Sequence, residues 1–221
     1  MAVLRATDET GVYEIEGLGT KIRLLEWRAG SFYDTVQFAS DGATAQSPGA
    51  QQFLFQNLQS KNRQFTNLDN NAGRLPALNE LITNRVGAHA LQAFGNTVIS
   101  DSDIIKFVHA AYMRVSVNQT RIIFDQPLYT AQSGFGVTGS TTRNNTGVVT
   151  IGVPSAAAAP QLLVAQPIGP NDSIGTDSYI VLYNNNWITG TNPSGGVLPT
   201  FATSVFCTVF LDGLIKKPAT A

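Results

Sequence analysis

Charge is the scarcest ingredient of this chain: Asp, Glu, Lys and Arg make up 13% of its 221 residues and sum to a net charge of −1. That is about half the usual charged fraction. The Lys and Arg are dispersed and leave no basic stripe to follow a phosphate backbone, so sequence-specific nucleic-acid binding is not expected. Cysteine is nearly absent too. The single Cys207 rules out a disulfide framework within the chain. In SVFCTVFLDG no His, Lys or second Cys lies nearby to lower its pKa, so a buried structural thiol is expected rather than a reactive one.

Histidine is almost as rare. His89 and His109 belong to no metal-ligand spacing such as HxH or HExxH, and a lone imidazole without an orienting partner is usually structural. No GxSxG, no P-loop and no GxGxxG opening a helix occurs; the GFGVTGS run, Gly134 to Ser140, reads as a Ser/Thr-rich loop. Long apolar runs are missing as well. The longest charge-free stretch, Asn144 to Asn171, is interrupted by Gly147, Gly152, Pro154, Pro160, Pro167 and Gly169 and does not read as a membrane helix. The opening MAVLRATDETGVYEIEG has no apolar signal core, which points to folding in a cytoplasm. No catalytic residue, cofactor-binding residue or metal ligand is assigned, and the chain is not expected to be an enzyme.

What the chain does have is alternation. YMRVSVNQTRIIFDQPLY, Tyr112 to Tyr129, reads as two strands folded back at Asn118 and Gln119. A two-residue loop sets Val117 against Thr120, Val115 against Ile122, Met113 against Phe124 and Arg114 against Ile123, giving one apolar and one mixed face. A four-residue loop keeps that parity; a three-residue loop would break it. TFATSVFCTVFLDGLI alternates Phe201, Thr203, Val205, Cys207 and Val209 against Ala202, Ser204, Phe206, Thr208 and Phe210. DSYIVLYNNNWITG reads as a strand running into an Asn-rich turn at Asn184 to Asn186, and KIRLLEW, GVVTIGVP and QQFLFQNL are further strands.

Between them, Ser40 to Ala50 is a loop by its Gly, Pro and small polar residues, Thr130 to Pro170 is a long elaborated excursion that holds the GVVTIGVP strand and an AAAAP connector, and Gln59 to Asn71 reads as an exposed excursion. Residues 79 to 84 fit either a helical turn or a strand. In DSDIIKFVHAA, Ser100 or Asp101 can cap a short helix with Ile104, Ile105 and Val108 on one face, although a continuous strand from Ile104 is an equal reading. The sum is seven to nine strands with one or two short helices. The expected organisation is an N-terminal arm over residues 1–20, broken by Gly11, Gly17 and Gly19, followed by a single all-β sandwich over residues 21–221.

Two further sets of residues bear on possible chemistry. Glu14 and Glu16 would share a face if extended, as a cation site or glycosidase pair requires, and Asp101 and Asp103 form a similar near pair; a solvated arm is the simpler account of the glutamates. Trp27, Phe32, Tyr33, Phe53, Phe55, Trp187 and Phe201 could line a sugar-binding groove, but aromatics also dominate ordinary cores, and no acidic or amide cluster accompanies them. Sequons at Asn118, Asn144 and Asn171 carry little weight in so Asn- and Thr-rich a sequence.

A low-charge β-sandwich with long polar loops suits self-assembly, because interface cores are depleted in charge and neighbouring copies cover exposed sheet edges. The run FLFQNLQSKNRQFTNLDNNAGRLP from Phe53 to Pro76, then YMRVSVNQTRIIFDQPLYTA from Tyr112, then FCTVFLDGLIKKP from Phe206, resembles in layout the major capsid proteins of tailless icosahedral bacteriophages with an internal membrane. The resemblance implies a single jelly-roll β-sandwich with an extended N-terminal arm, long loops and one or two short helices. It implies a structural virion protein, assembled in a host cytoplasm, whose partners are its own copies in capsomers and other capsid proteins. The N-terminal arm would face an internal membrane, and that arm, Ser40 to Ala50 and Thr130 to Asn145 would make the subunit contacts. A receptor- or glycan-binding sandwich and, further off, a cupin-like metalloenzyme are the alternatives.

Overall fold

The computed structural model describes residues 4–23, 25–39, 49–68, 74–75, 79–92, 101–131, 142–143, 149–150, 161–183, 201 and 204–216. The chain is all-β, as its alternation predicts. In order, the strands are β1 (Leu4–Ala6), β2 (Val12–Ile15), β3 (Thr20–Arg23), β4 (Trp27–Phe38), β5 (Gln51–Phe53) and β6 (Leu81–Gln92). A helix, α1 (Asp101–Ala110), runs directly into β7 (Ala111–Val117). Then come β8 (Arg121–Pro127), the small β9 (Thr142–Arg143) and β10 (Val149–Thr150) pair, β11 (Gln161–Ile168), β12 (Tyr179–Leu182) and β13 (Val205–Lys216).

Eight of these strands build two four-stranded sheets, in the orders β11-β6-β13-β4 (the first sheet) and β5-β12-β7-β8 (the second). Every neighbouring pair is antiparallel. The pairing is nested: β4 lies beside β13, β5 beside β12, β6 beside β11 and β7 beside β8. Along these eight strands the chain passes from one sheet to the other at every step except the β7–β8 hairpin; the stretch that holds β9 and β10 carries it from β8 back to β11 of the first sheet.

Period-2 alternation decides what each sheet buries. On β13, Val205, Cys207, Val209 and Leu211 are fully buried while Phe206, Thr208, Phe210 and Asp212 stay partly exposed on the outer face. Met113, Val115 and Val117 of β7, Ile180 and Leu182 of β12, and Val86, Ala88 and Ala90 of β6 join them in one apolar cluster between the sheets. Each large side chain withdrawn there contributes about 1.5–3 kcal/mol. The helix closes one end of this core. Phe107 is buried between Phe38 at 5.1 Å and Phe201 at 6.1 Å, with Val108 buried beside it and Ile104 partly so. DSDIIKFVHAA is thus helix rather than strand, with Phe107 the main anchor of its buried face.

The ladder of β13 along β4 and β6 is interrupted on the β6 side by a bulge between Asp212 and Gly213. There the two backbones come so close that a Cβ on Gly213 would lie 1.9 Å from the Ile82 carbonyl oxygen, so glycine is required.

The structure departs from the sequence expectation in several places. Residues 4–23 are not an irregular arm: β1, β2 and β3 form a three-stranded antiparallel meander. Gly11, Gly17 and Gly19 sit at positive φ in its turns, so the residues that suggested irregularity are the ones that let the chain reverse. Ile15 and Ile22 bury against Ile82 and Ala165, with Trp27 and Leu214 packed alongside, which docks the meander on the first sheet. KIRLLEW is split, because the chain turns at Leu25 and Glu26 before β4 begins.

The β7–β8 hairpin closes with Asn118, Gln119 and Thr120 between the paired Val117 and Arg121. This is the loop length that breaks the expected parity. A bulge at Ile123 then shifts the register, so Arg114 faces Asp125 and Val115 faces Phe124, leaving Ile122 exposed. The Gln59–Asn71 excursion is not merely exposed, since Thr66 and Leu68 are buried. Thr66 Oγ1 donates to the Tyr33 carbonyl and Asn67 Nδ2 to that of Ser31, covering the free edge of β4. Residues 81–84 are strand.

Candidate interaction surface

The outer face of the second sheet carries a connected set of polar and aromatic side chains. Register aligns Phe53, Tyr179, Arg114 and Asp125 in one row across β5, β12, β7 and β8. Arg114 donates through Nε and Nη2 to the two carboxylate oxygens of Asp125 at 3.1 and 2.9 Å, a bidentate fork of the stronger kind. Its Nη1 lies 3.5 Å from Asp177, and its guanidinium sits 5.7 Å from the centre of the Tyr179 ring. In the next row, the Tyr112 hydroxyl donates to the Asp125 carbonyl at 3.0 Å and its ring meets Tyr183 edge-on at 5.9 Å.

These contacts fix the electrostatics. The hydrogen bonds from Arg114 hold the Asp125 carboxyl below its usual range, and the same bonds push the guanidinium up. Desolvation raises the phenol of Tyr112, with the neighbouring Asp125 carboxylate acting in the same direction, and desolvation also raises Tyr179. All of these groups keep their neutral-pH charge states. Tyr183 and Phe53 nonetheless remain 55% and 48% exposed. The face is therefore a set of large side chains already held in place yet open to solvent. Tyr and Arg in such a setting are typical of contact surfaces, because little side-chain entropy is lost when a partner covers them.

A second constellation is internal. Asp34 points inward from β4 with no exposure, receives Lys61 Nζ at 2.7 and 2.8 Å and accepts the Phe55 N–H at 2.7 Å. Burial raises its pKa, and the hydrogen bond and charge of Lys61 oppose that rise. Phe55, fully buried, and Asn57 both have positive φ, so the bond to Asp34 helps hold a strained bend where the chain leaves β5. Together these contacts clamp the bend to β4.

The residues singled out in the sequence are scattered. Cys207 is buried among apolar side chains, which pushes its thiol up. His89 is half-buried on the outer face of the first sheet, while His109 is exposed on α1 with its ring 5.8 Å from Tyr129. Glu14 lies on β2 between Arg5 and Lys21 in register, whereas Glu16 lies in the following turn. Asp103 is buried, with Lys106 at 3.6 Å. Phe32, Phe55 and Phe201 belong to the core, Tyr33 lies on the outer face of β4, and Trp27 packs beneath the meander.

Trp187, Gly134 to Ser140, Asn144 and the Asn184–Asn186 turn lie outside the described residues, as do most of Ser40–Ala50 and Thr130–Asn145. Among the described residues no group of three or more His, Cys, Asp or Glu could hold a metal ion, and no helix is long and apolar enough to cross a membrane. Sequence reasoning missed Arg114, Asp125 and Tyr179 as a unit, because only the bulge at Ile123 brings Arg114 opposite Asp125.

The chain matches no family model, no curated protein and no solved structure.

Proposed function

We propose that this chain is a structural subunit of an icosahedral virion shell, a single jelly roll that assembles with copies of itself into capsomers. The observation that carries the reading is the nested pairing of β4 with β13, β5 with β12, β6 with β11 and β7 with β8, split between two facing sheets. That is the order obtained when one long antiparallel hairpin is rolled up, the plan shared by capsid domains, lectins and cupins. Within that group, the inner faces of β6, β7, β12 and β13 carry apolar side chains where a metalloenzyme would present ligands, which favours a packed structural body.

Assembly needs a surface, and the Phe53–Tyr179–Arg114 face supplies one. Its exposed aromatics would be covered by a neighbouring subunit, and the Arg114–Asp125 fork would keep the face rigid. The docked meander would lie toward an internal membrane or another shell protein, and the subunit would reside in the virion after assembly in a host cytoplasm.

The test is the assembly state of the purified chain, followed by light scattering and negative-stain microscopy across protein and salt concentration. Rings, trimers, hexamers or closed shells are expected. A monomer that persists at every concentration would overturn the reading.

A further inference from the structure

The register of the first sheet leaves a trough on its outer face. Ser31, Asp212 and Arg85 align across β4, β13 and β6, then Tyr33, Phe210 and Gly87, then Thr35, Thr208 and His89. Because Gly87 has no side chain, the Phe210 ring reaches over it; a Cβ there would lie 2.3 Å from the ring. The Trp27 and Leu214 packing under the meander lies beyond one end of these rows, and the Phe65–Phe206 ring pair, 5.9 Å apart, lies beyond the other. Between them is a cleft of about 490 Å³ lined by Ser31, Tyr33, His89, Thr208, Phe210 and Asp212. That volume is in the range of small-molecule sites.

We propose that this cleft binds a neutral saccharide, with Phe210 and Tyr33 meeting the C–H face of a pyranose and Asp212, His89, Ser31 and Thr208 bonding its hydroxyls. A sugar offers one apolar face and a rim of groups that each donate and accept, and the lining has that division. The walls are already set: the Tyr33 hydroxyl donates to the Arg63 carbonyl at 2.6 Å and keeps its acceptor capacity, and the Thr208 and Thr35 hydroxyls share one bond at 2.8 Å. Asp212 is the unspent group. Its carboxylate has no hydrogen-bond partner among the described residues, and burial raises its pKa against the opposing charge of Arg85. A half-buried acceptor without a donor gains from a ligand hydroxyl.

Other ligand classes fit less well. A phosphate or carboxylate would meet the Asp212 charge, and an organic cation would use the rings and Asp212 while leaving the hydroxyls of Ser31 and Thr208 without a role. This site is separate from the face assigned to assembly, and its test is independent of that reading.

The experiment is saturation-transfer NMR, followed by titration calorimetry, of the full chain against methyl glycosides of neutral hexoses and N-acetylhexosamines, with tetramethylammonium as the cation probe. At least one glycoside is expected to bind. Asp212→Asn should weaken binding about tenfold or more, and Phe210→Ala should abolish it. Thermal unfolding identifies any variant that fails to fold; the partly exposed Asp212→Asn carries the test if Phe210→Ala does not fold. No glycoside binding, unchanged binding in Asp212→Asn, or binding of the cation alone would overturn the proposal.

Discussion

Replacing Lys61 with Met should expose how the Asp34 clamp is balanced. Asp34 has no exposure, and Lys61 supplies its only ion-pair contact among the described residues. Removing one partner of such a pair leaves an uncompensated buried charge, which costs about 3–5 kcal/mol. For a chain of this size, that corresponds to a fall in Tm of about 6–20 °C. The effect has a pH signature. Burial raises the Asp34 pKa above its unfolded value, so its protonation stabilises the fold at low pH, and that contribution is lost as pH rises through the folded pKa.

Without Lys61 the folded pKa moves higher still. The gap between wild type and Lys61→Met should therefore be smaller at pH 4 than at pH 7, because protonating the folded carboxyl removes the uncompensated charge. Urea unfolding at the two pH values measures it. Asp34→Asn combined with Lys61→Met should recover most of the loss, since an amide oxygen can still accept the Phe55 N–H. A gap below about 1 kcal/mol at pH 7, or one equal at both pH values, would refute the reasoning.

Three further outcomes are expected. Gly213→Ala should lower stability by about 1–3 kcal/mol in urea unfolding, because its Cβ would strike the Ile82 backbone; an unchanged midpoint would mean that the bulge relaxes freely. Gln119 has a φ of 63°, so Gln119→Gly should raise the unfolding temperature and Gln119→Val should lower it, the two differing by about 1–2 kcal/mol; matching midpoints would deny strain in the hairpin loop. Tyr183→Glu with Phe53→Glu should block assembly in light scattering while shifting the Tm of the isolated subunit by no more than about 2 °C, since both side chains are about half exposed. Normal particles from that double variant would move the subunit contact to another face.

Alternation made β7, β12 and β13 legible because burial on one side of a strand is written directly into every second residue. Cys207 was readable for the same reason. The meander was not, since its strands are three or four residues long and the glycines that form its turns also look like loop residues. The hairpin register depends on one bulged residue, Ile123, and no local propensity marks it. Asp34 and Lys61, like Asp212 and its cleft, meet only through tertiary pairing. Leu68 looked like part of a polar excursion because its neighbours are Asn, Gln and Thr, and its burial follows from how residues 62–68 are bonded to β4.

The nested pairing also sets an order of events in synthesis. β13 is the middle partner that joins β4 to β6, yet it follows both by most of the chain. Until it emerges from the ribosome, β4 and β6 have no common neighbour, and their apolar faces and open edges must wait without their final partner. Such long-range closure makes folding slow and leaves intermediates open to aggregation. In the assembly proposed above, this order has a further consequence. The first sheet cannot be completed by a partly made chain, so under that proposal docking of β13 would precede contact with a neighbouring copy.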